Sequence, residues 1–320
     1  MTNTDTSTGT TTDHDVIIIG GGAAGLSAAL VLSRARWATL VIDAGEPRNA
    51  PATEMHGFVS RDGMPPAEFL AAGRGEVLGY GGVIRSARVA DIHRDASGTF
   101  VATLDSGDTA TARALLVASG LTDELPLIPG LRDRWGGSVH HCPYCHGYEV
   151  RGQSIVVIGG SNPEVSLRQA GLLRRHSDRV RFVSNGSTLA STDRDRLEAI
   201  GVSVTDAAVS HLVGAAGSLS GVALVDGTVL ECESVFVAPR PRPNDDVLRE
   251  LGCAIDPETA LVATSATGET SIPGVWAAGN VVTPTAQVIT AAGAGSTSAI
   301  AISGWLLARD LDAAVAARHP

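Results

Sequence analysis

The 320-residue chain has no lysine; all 24 of its basic residues are arginine. That substitution is uniform, so it reads as the codon bias of a high-GC genome and not as function. Positive charge is in deficit, with a formal net charge of -10, which argues against nucleic acid or an anionic membrane as a main partner. No uninterrupted apolar run reaches the ~20 residues of a membrane span. Residues 1–13 are Thr-rich and lack the charged start and apolar core of a signal peptide. A disordered tail and a cytoplasmic location are the expectations. Cysteine is scarce, at four residues. In a reducing compartment four cysteines do not make a structural framework, so a close pair reads as redox or metal chemistry.

What is present is an apolar, glycine-rich chain: 44% hydrophobic residues and 37 glycines. This suits an α/β protein with many tight turns, and the length allows two domains. Residues 16–19 are a fully apolar run, the pattern of a buried parallel strand. Gly20-x-Gly22-x-x-Gly25 follows, then a helix-like stretch over residues 26–36 and a second strand over 38–42 that ends at Asp43.

This strand–turn–helix–strand unit is the context a dinucleotide fingerprint requires. The first glycine permits the turn, the second lets backbone approach a pyrophosphate, and the third lets helix and strand pack closely. Phosphates meet the N–H groups of the helix start, at Ala23 and Ala24. Asp43 falls where a carboxylate accepts from ribose hydroxyls. Ala118 and Gly120, at the end of a strand over residues 114–118, are further expected cofactor contacts. The motif alone leaves NAD and FAD open.

Cys142-Pro143-Tyr144-Cys145 supplies two sulfurs that can switch between dithiol and disulfide. A nearby helix start lowers a thiol pKa, and the thiolate is the reactive species. His146 follows directly, and an unperturbed imidazole titrates near working pH. A zinc site needs two more ligands, for which His140 and His141 are nearby. Cys-x-x-Cys-His also matches a c-haem attachment site, and a structural disulfide is the third alternative. Cys232 and Cys253 are single and read as core thiols.

A second unit begins with the strand over residues 155–158 and Gly159-Gly160-Ser161-Asn162-Pro163-Glu164. Here Ser161 and Glu164 occupy two positions of the glycine fingerprint. Pro163 removes a donor N–H, and Ser184-Asn185-Gly186 replaces a basic stretch suited to a 2′-phosphate. A weak NADH site is the competing reading. A strand over residues 235–238, a Pro-rich hinge over 239–243 and a final strand–helix unit with a helix over 286–307 complete the chain.

The segments Ala277-Ala278-Gly279-Asn280 and Ala286-Gln287-Val288 resemble the FAD-closing segment of low-molecular-weight thioredoxin reductases. The resemblance covers nearly the whole chain after the tail. It implies FAD as cofactor and an α/β fold of two Rossmann-like three-layer domains, the second inserted in the first. Residues 14–121 and 243–320 would bind FAD, and residues 122–242 would form a degenerate NADPH-type domain carrying the cysteines. Asn280 stands where the family has Asp. Gln287 and Val288 would lie at the flavin pyrimidine edge, with Arg48 and Asn49 lining the site and Val89 touching adenine. His56 would contact flavin or substrate. Cys145 would face the flavin and Cys142 would exchange with substrate. His146 stands where the family has an Asp acid/base.

The run from Cys142 to Glu149 looks most like the dithiol oxidases of gliotoxin and holomycin biosynthesis, with the holomycin type favoured by the high-GC composition. The implied activity closes an intramolecular disulfide in a small dithiol, with O2 as acceptor, giving hydrogen peroxide. The thiols would lie near His140, His141 and Cys142. The group forms homodimers. The alternatives are an NAD(P)H-dependent thioredoxin-disulfide reductase and a flavin-bound redox sensor.

Overall fold

The computed structural model describes residues 13–215 and 217–318. Of the expected tail over residues 1–13, only Asp13 is described, its N–H donating to Thr111 Oγ1 at 2.9 Å; the rest lies outside the described residues. The chain forms two compact units. One comprises residues 1–48, 67–121 and 243–320, and the other residues 49–66 and 122–242. The second unit is thus inserted in the first. Residues 49–66, assigned to the FAD domain from sequence, fold instead with the second unit. The reason is close packing: a side chain at Gly136 would meet Pro51 O at 2.5 Å, and His56 approaches Glu149.

The first unit opens with β1 (His14–Ile19), α1 (Ala23–Arg34), β2 (Thr39–Asp43), α2 (Pro66–Gly79) and β3 (Val83–Ser86). Three further strands follow: β4 (Val89–Arg94), β5 (Phe100–Leu104) and β6 (Thr109–Val117). They form one sheet in the order β3-β2-β1-β6-β5-β4. β1 pairs in parallel with β2 and β6, and β4, β5 and β6 run antiparallel. Side chains alternate across a strand, and both faces are covered. Val16, Ile18, Val41 and Leu116 pack toward α1, while Ile17, Ile42, Leu115 and Val117 enter a second core with Phe100 and Leu104. Burial on both faces explains why β1 is apolar without alternation.

The chain leaves through β7 (Leu121–Glu124) into the second unit. β8 (Val139–His140) leads into α3 (Pro143–His146), followed by β9 (Ile155–Ile158), α4 (Pro163–Leu173), β10 (Val180–Val183), α5 (Ser191–Ala199) and β11 (Ser203–Thr205). An antiparallel meander of β12 (Val209–Val213), β13 (Gly221–Leu224) and β14 (Val229–Glu231) precedes β15 (Ser234–Val237). The main sheet is parallel, in the order β11-β10-β9-β15-β8. Again alternate residues split: Val156 and Ile158 join one core, Ile155 and Val157 the other.

β16 (Arg240–Pro243) pairs with β7, so the two crossing segments form a ribbon. After α6 (Asp246–Glu250), β17 (Val275–Ala277) adds in parallel to β6 and leads to α7 (Val288–Ala316). α7 runs past the expected residue 307 because no proline stops it. By length and average composition alone it is apolar enough to cross a membrane, although polar residues interrupt it throughout. Its Ala291, Gly295, Ala299, Ile302 and Leu306 are buried. A side chain at Gly295 would come 2.0 Å from Ala24 O, so this glycine lets α7 lie against α1.

Candidate active site

In the first unit the Gly-rich turn has the geometry of a phosphate cradle. A Cβ at Gly20 would meet Ala118 O at 2.4 Å, and one at Gly25 would meet Gly20 O at 1.9 Å. At Gly22 a Cβ would meet nothing within 4 Å. Packing therefore demands two of the three glycines, while the third faces open space at the N-cap of α1. No side chain caps that helix, so the N–H groups at Ala23 and Ala24 face the side from which a phosphate approaches.

Asp43, at the end of β2, accepts from Arg74 Nη2 at 2.6 Å and from Gly45 N at 3.2 Å. Burial pushes its carboxyl up, but Arg74 and the Gly45 and Gly21 N–H groups outweigh this and hold it below the usual carboxylate range. It is a fixed anion with lone pairs left for ribose hydroxyls. Beside it lies a cleft of ≈ 360 Å³ lined by residues that include Asp43, Glu46, Ser86, Ala87 and Arg88. Val89, expected at the adenine, is next in the chain but not among the lining residues. Arg74, Ser86 and Arg88 had no signal in the sequence.

The closing segment is ordered by Asn280. Its Nδ2 donates to Thr283 O, Pro284 O and Ala286 O at 3.1, 3.3 and 2.9 Å. Arg48 Nη1 also donates to Pro284 O, at 3.2 Å. An amide can donate into these carbonyls and a carboxylate cannot, which accounts for Asn here. Gln287 is the N-cap of α7 and Val288 its first residue. Gly279 has φ +80° and would place a Cβ 3.0 Å from Ala24 Cβ. Gly120 (φ +70°) has open space. The first unit thus gathers Gly20, Gly22, Gly25, Asp43, Arg48, Ala118, Gly279 and Asn280, whereas Asn49 and His56 belong to the segment that folds with the second unit.

In the second unit Cys142 and Cys145 are joined in a disulfide, with Cα atoms 5.2 Å apart. Cys142 is the N-cap of α3 and its Sγ accepts from Cys145 N at 3.1 Å. The same donation stabilises a Cys142 thiolate once the bond opens. Among the described residues no three His, Cys, Asp or Glu side chains converge as a metal set. Cys232 and Cys253 are buried; burial pushes the Cys232 thiol up to about 12.

His146 stacks on His140, with ring centroids 4.4 Å apart. Burial pushes the His140 imidazole down to about 3, and the neighbouring His146 and His141 add to this. Burial also lowers His146, opposed by the Glu149 carboxylate and reinforced by His56. His140 is 5% exposed. It is a buried, neutral ring under His146. Tyr144 and Tyr148 nearby in the chain are 61% and 64% exposed, and the Arg151 guanidinium lies over the Tyr148 ring, 4.1 Å from its centroid.

The second glycine turn is closed on itself. Asn162 caps α4, its Oδ1 accepting from Val165 N at 3.3 Å. Ser166 Oγ accepts from Gly160 N at 3.2 Å, and Pro163 has no N–H. Two backbone donors of this turn, Gly160 N and Val165 N, are thus taken by the chain's own side chains.

Residues 14–295 match the family model described as pyridine nucleotide-disulphide oxidoreductase. The chain belongs to that family. It is similar to thioredoxin reductase tcpT of Claviceps purpurea (33% identical, covering 83% of this chain and 86% of that one). It is also similar to thioredoxin reductase sirT of Leptosphaeria maculans (29%, 93% and 96%). The crystal structure of HlmI matches with a TM-score of 0.91 and 45% identity, over 95% of this chain and 96% of that one. The protein is accordingly a thioredoxin-reductase-like disulfide oxidoreductase with FAD as cofactor, and the open Gly22 cradle and the Asp43 cleft fit that group.

Proposed function

We propose that the protein is a dithiol oxidase that closes an intramolecular disulfide in a small molecule. Dioxygen is the acceptor and hydrogen peroxide the second product. The observation that carries this is the self-capped α4 turn. A reductase needs NADPH on that turn, and here Asn162 and Ser166 take its donors while Glu164 adds like charge. Electrons therefore enter from the thiol side.

A substrate thiol loses its proton to His146, and the thiolate attacks Cys142 Sγ. A mixed disulfide forms and Cys145 leaves as thiolate. The second substrate thiol then attacks its own partner sulfur, closing the ring. Cys142 leaves as thiolate, helped by the Cys145 N–H on its Sγ. FAD, which Gly22, Asp43 and Asn280 would hold, would supply the two-electron acceptor between the thiolate pair and dioxygen.

The sequence resemblance from Cys142 to Glu149 makes a reduced dithiolopyrrolone of the holomycin type the proposed substrate and a homodimer the proposed assembly. The family's nicotinamide chemistry favours a second reading, an NAD(P)H-dependent thioredoxin-disulfide reductase. One pair of assays separates them. The yellow protein is mixed anaerobically with NADPH, then in air with a small dithiol. Peroxide from the dithiol without bleaching by NADPH is expected; bleaching by NADPH with no peroxide overturns the proposal.

A further inference from the structure

β8 and β15 run side by side in parallel, and their ladder stops at the pair of His140 with Phe236. The next residues on the two strands are His141 and Val237, and one side chain holds both. Gln169 Nε2 donates to His141 O at 2.6 Å and to Val237 O at 2.9 Å. Gln169 is 4% exposed and lies on the buried face of α4 with Ser166, Ala170 and Leu173. Both of its partners are carbonyls, so the amide nitrogen must face them. Its Oε1 is left without a hydrogen-bond partner among the described residues. A buried acceptor left unpaired is costly, so the amide is of use here only through its two N–H bonds.

His141 immediately precedes the reactive pair. Cys142 is the N-cap of α3, extended at φ -112° and ψ 107°, and its Sγ accepts from Cys145 N at 3.1 Å. That contact needs the Cys142 backbone in this non-helical setting. Pro143, in the first turn of α3, disfavours the helical alternative from one side. The bond from Gln169 fixes the other side, because His141 O lies in the same rigid plane as Cys142 N. Trp135 stacks on the His141 ring with centroids 5.6 Å apart, which steadies the side chain but not the direction of the carbonyl. The bond to Val237 O refers the hold on His141 to the end of β15, a strand paired on both edges.

We propose that Gln169 is a positioning residue of the dithiol centre: by holding the His141 carbonyl at the end of β15, it keeps Cys142 Sγ on the Cys145 N–H, where a thiolate is stabilised. The role is the same for thiol oxidation and for disulfide reduction, since both open and close this pair, and it does not rest on the oxidase reading. When two thiols open the pair, the first bonds to one sulfur and the other sulfur leaves as thiolate. The second thiol then displaces the remaining sulfur. The two thiols give up two electrons and two protons and leave joined as a disulfide. Cys142 carries negative charge once it is released, and the Cys145 N–H bears on that charge. α4 thus has a task apart from nucleotide binding, and Gln169 had no signal in the sequence.

The test uses the FAD-loaded protein, reduced anaerobically with dithiothreitol, desalted and alkylated with iodoacetamide over a range of pH. Peptide masses separate Cys142 from Cys145, Cys232 and Cys253. Gln169→Met keeps the length and removes both donors. Alkylation of Cys142 should slow about 10-fold at pH 6 and approach the wild-type rate near pH 9, the shape given by a thiolate pKa raised by about one unit. Gln169→Glu, which as a neutral acid keeps one donor, should shift the profile the same way by less, and decides alone if Gln169→Met does not fold. Leu197→Ala is the control for lost stability. It opens a cavity in the core that α5 shares with Ala170 and Leu173 of α4, and should lower the melting temperature while the Cys142 profile stays in place. An unchanged profile in either Gln169 variant overturns the role, and so does an equal shift in Leu197→Ala. Neither dioxygen nor NADPH enters the measurement, so its outcome is separate from the choice between oxidase and reductase.

Discussion

The ring of His140 lies over that of His146 at 4.4 Å, with 23° between their planes. One imidazole is thereby packed beneath another that stands next to a reactive cysteine. Burial drives His140 so low, to about 3, that it stays neutral across the working range. It offers His146 a flat apolar support and no competing charge.

The first prediction concerns His146. Burial lowers its pKa, so its neutral, proton-accepting form persists to lower pH than in a free imidazole. The acid limb of the wild-type pH–rate profile for dithiol turnover should then lie below about 6.5. In His146→Ala the substrate must ionise unaided. Turnover should fall about 100-fold at pH 6 and by progressively less above pH 8. Parallel profiles for the two proteins would remove His146 from proton transfer.

His140 makes folding sensitive to acid. The unfolded chain takes up this proton near 6.5 and the folded chain only near 3. Between those values the unfolded state binds more protons, so its contribution to stability is complete above about 6.5 and declines as pH falls. His140→Leu removes that single proton. Its denaturant-derived stability should fall less steeply between pH 6 and pH 4, by about 1.4 kcal/mol per pH unit. Identical slopes for variant and wild type would sink the argument.

Two glycines in one turn should fail in different ways. Gly22→Ala adds a methyl group to open space at the N-cap of α1, so the stability of the apoprotein should fall by no more than about 1 kcal/mol. The yellow colour should be lost on gel filtration, because the methyl group occupies the phosphate approach. Gly25→Ala drives a methyl group into Gly20 O, and should cost on the order of 3 kcal/mol in the apoprotein. Retained FAD in Gly22→Ala would show that the cradle is placed wrongly.

The α4 turn makes a fourth prediction. Asn162→Ala removes the cap on Val165 N and should cost about 1 kcal/mol. NADPH should still fail to bleach the variant, since Pro163, Glu164 and the Ser166 contact remain. Bleaching on this single change would mean that the cap alone had excluded the nucleotide.

The sequence was sufficient wherever the chemistry is carried within one short stretch. Gly20, Gly22 and Gly25 lie on a single strand–turn–helix, and Cys142 and Cys145 on a single turn, so spacing alone specifies what can meet. The parallel strands were legible for a similar reason: burial on both faces leaves unbroken apolar runs such as Val16 to Ile19. Asn162 could also have been recognised as a helix cap from its place before Pro163, but its consequence depends on Ser166 closing the same turn.

Tertiary structure decided the rest, because those contacts join residues far apart in the chain. Nothing near Asp43 in sequence announces Arg74, and nothing near Glu149 announces His56. Whether His140 faces substrate or the core depends on the sheet that β8 joins and on Phe236 beside it. Residues 49–66 changed allegiance through contacts with Gly136 and Glu149, which no local pattern encodes. Composition and spacing chose the chemistry; long-range packing chose which side chains attend it.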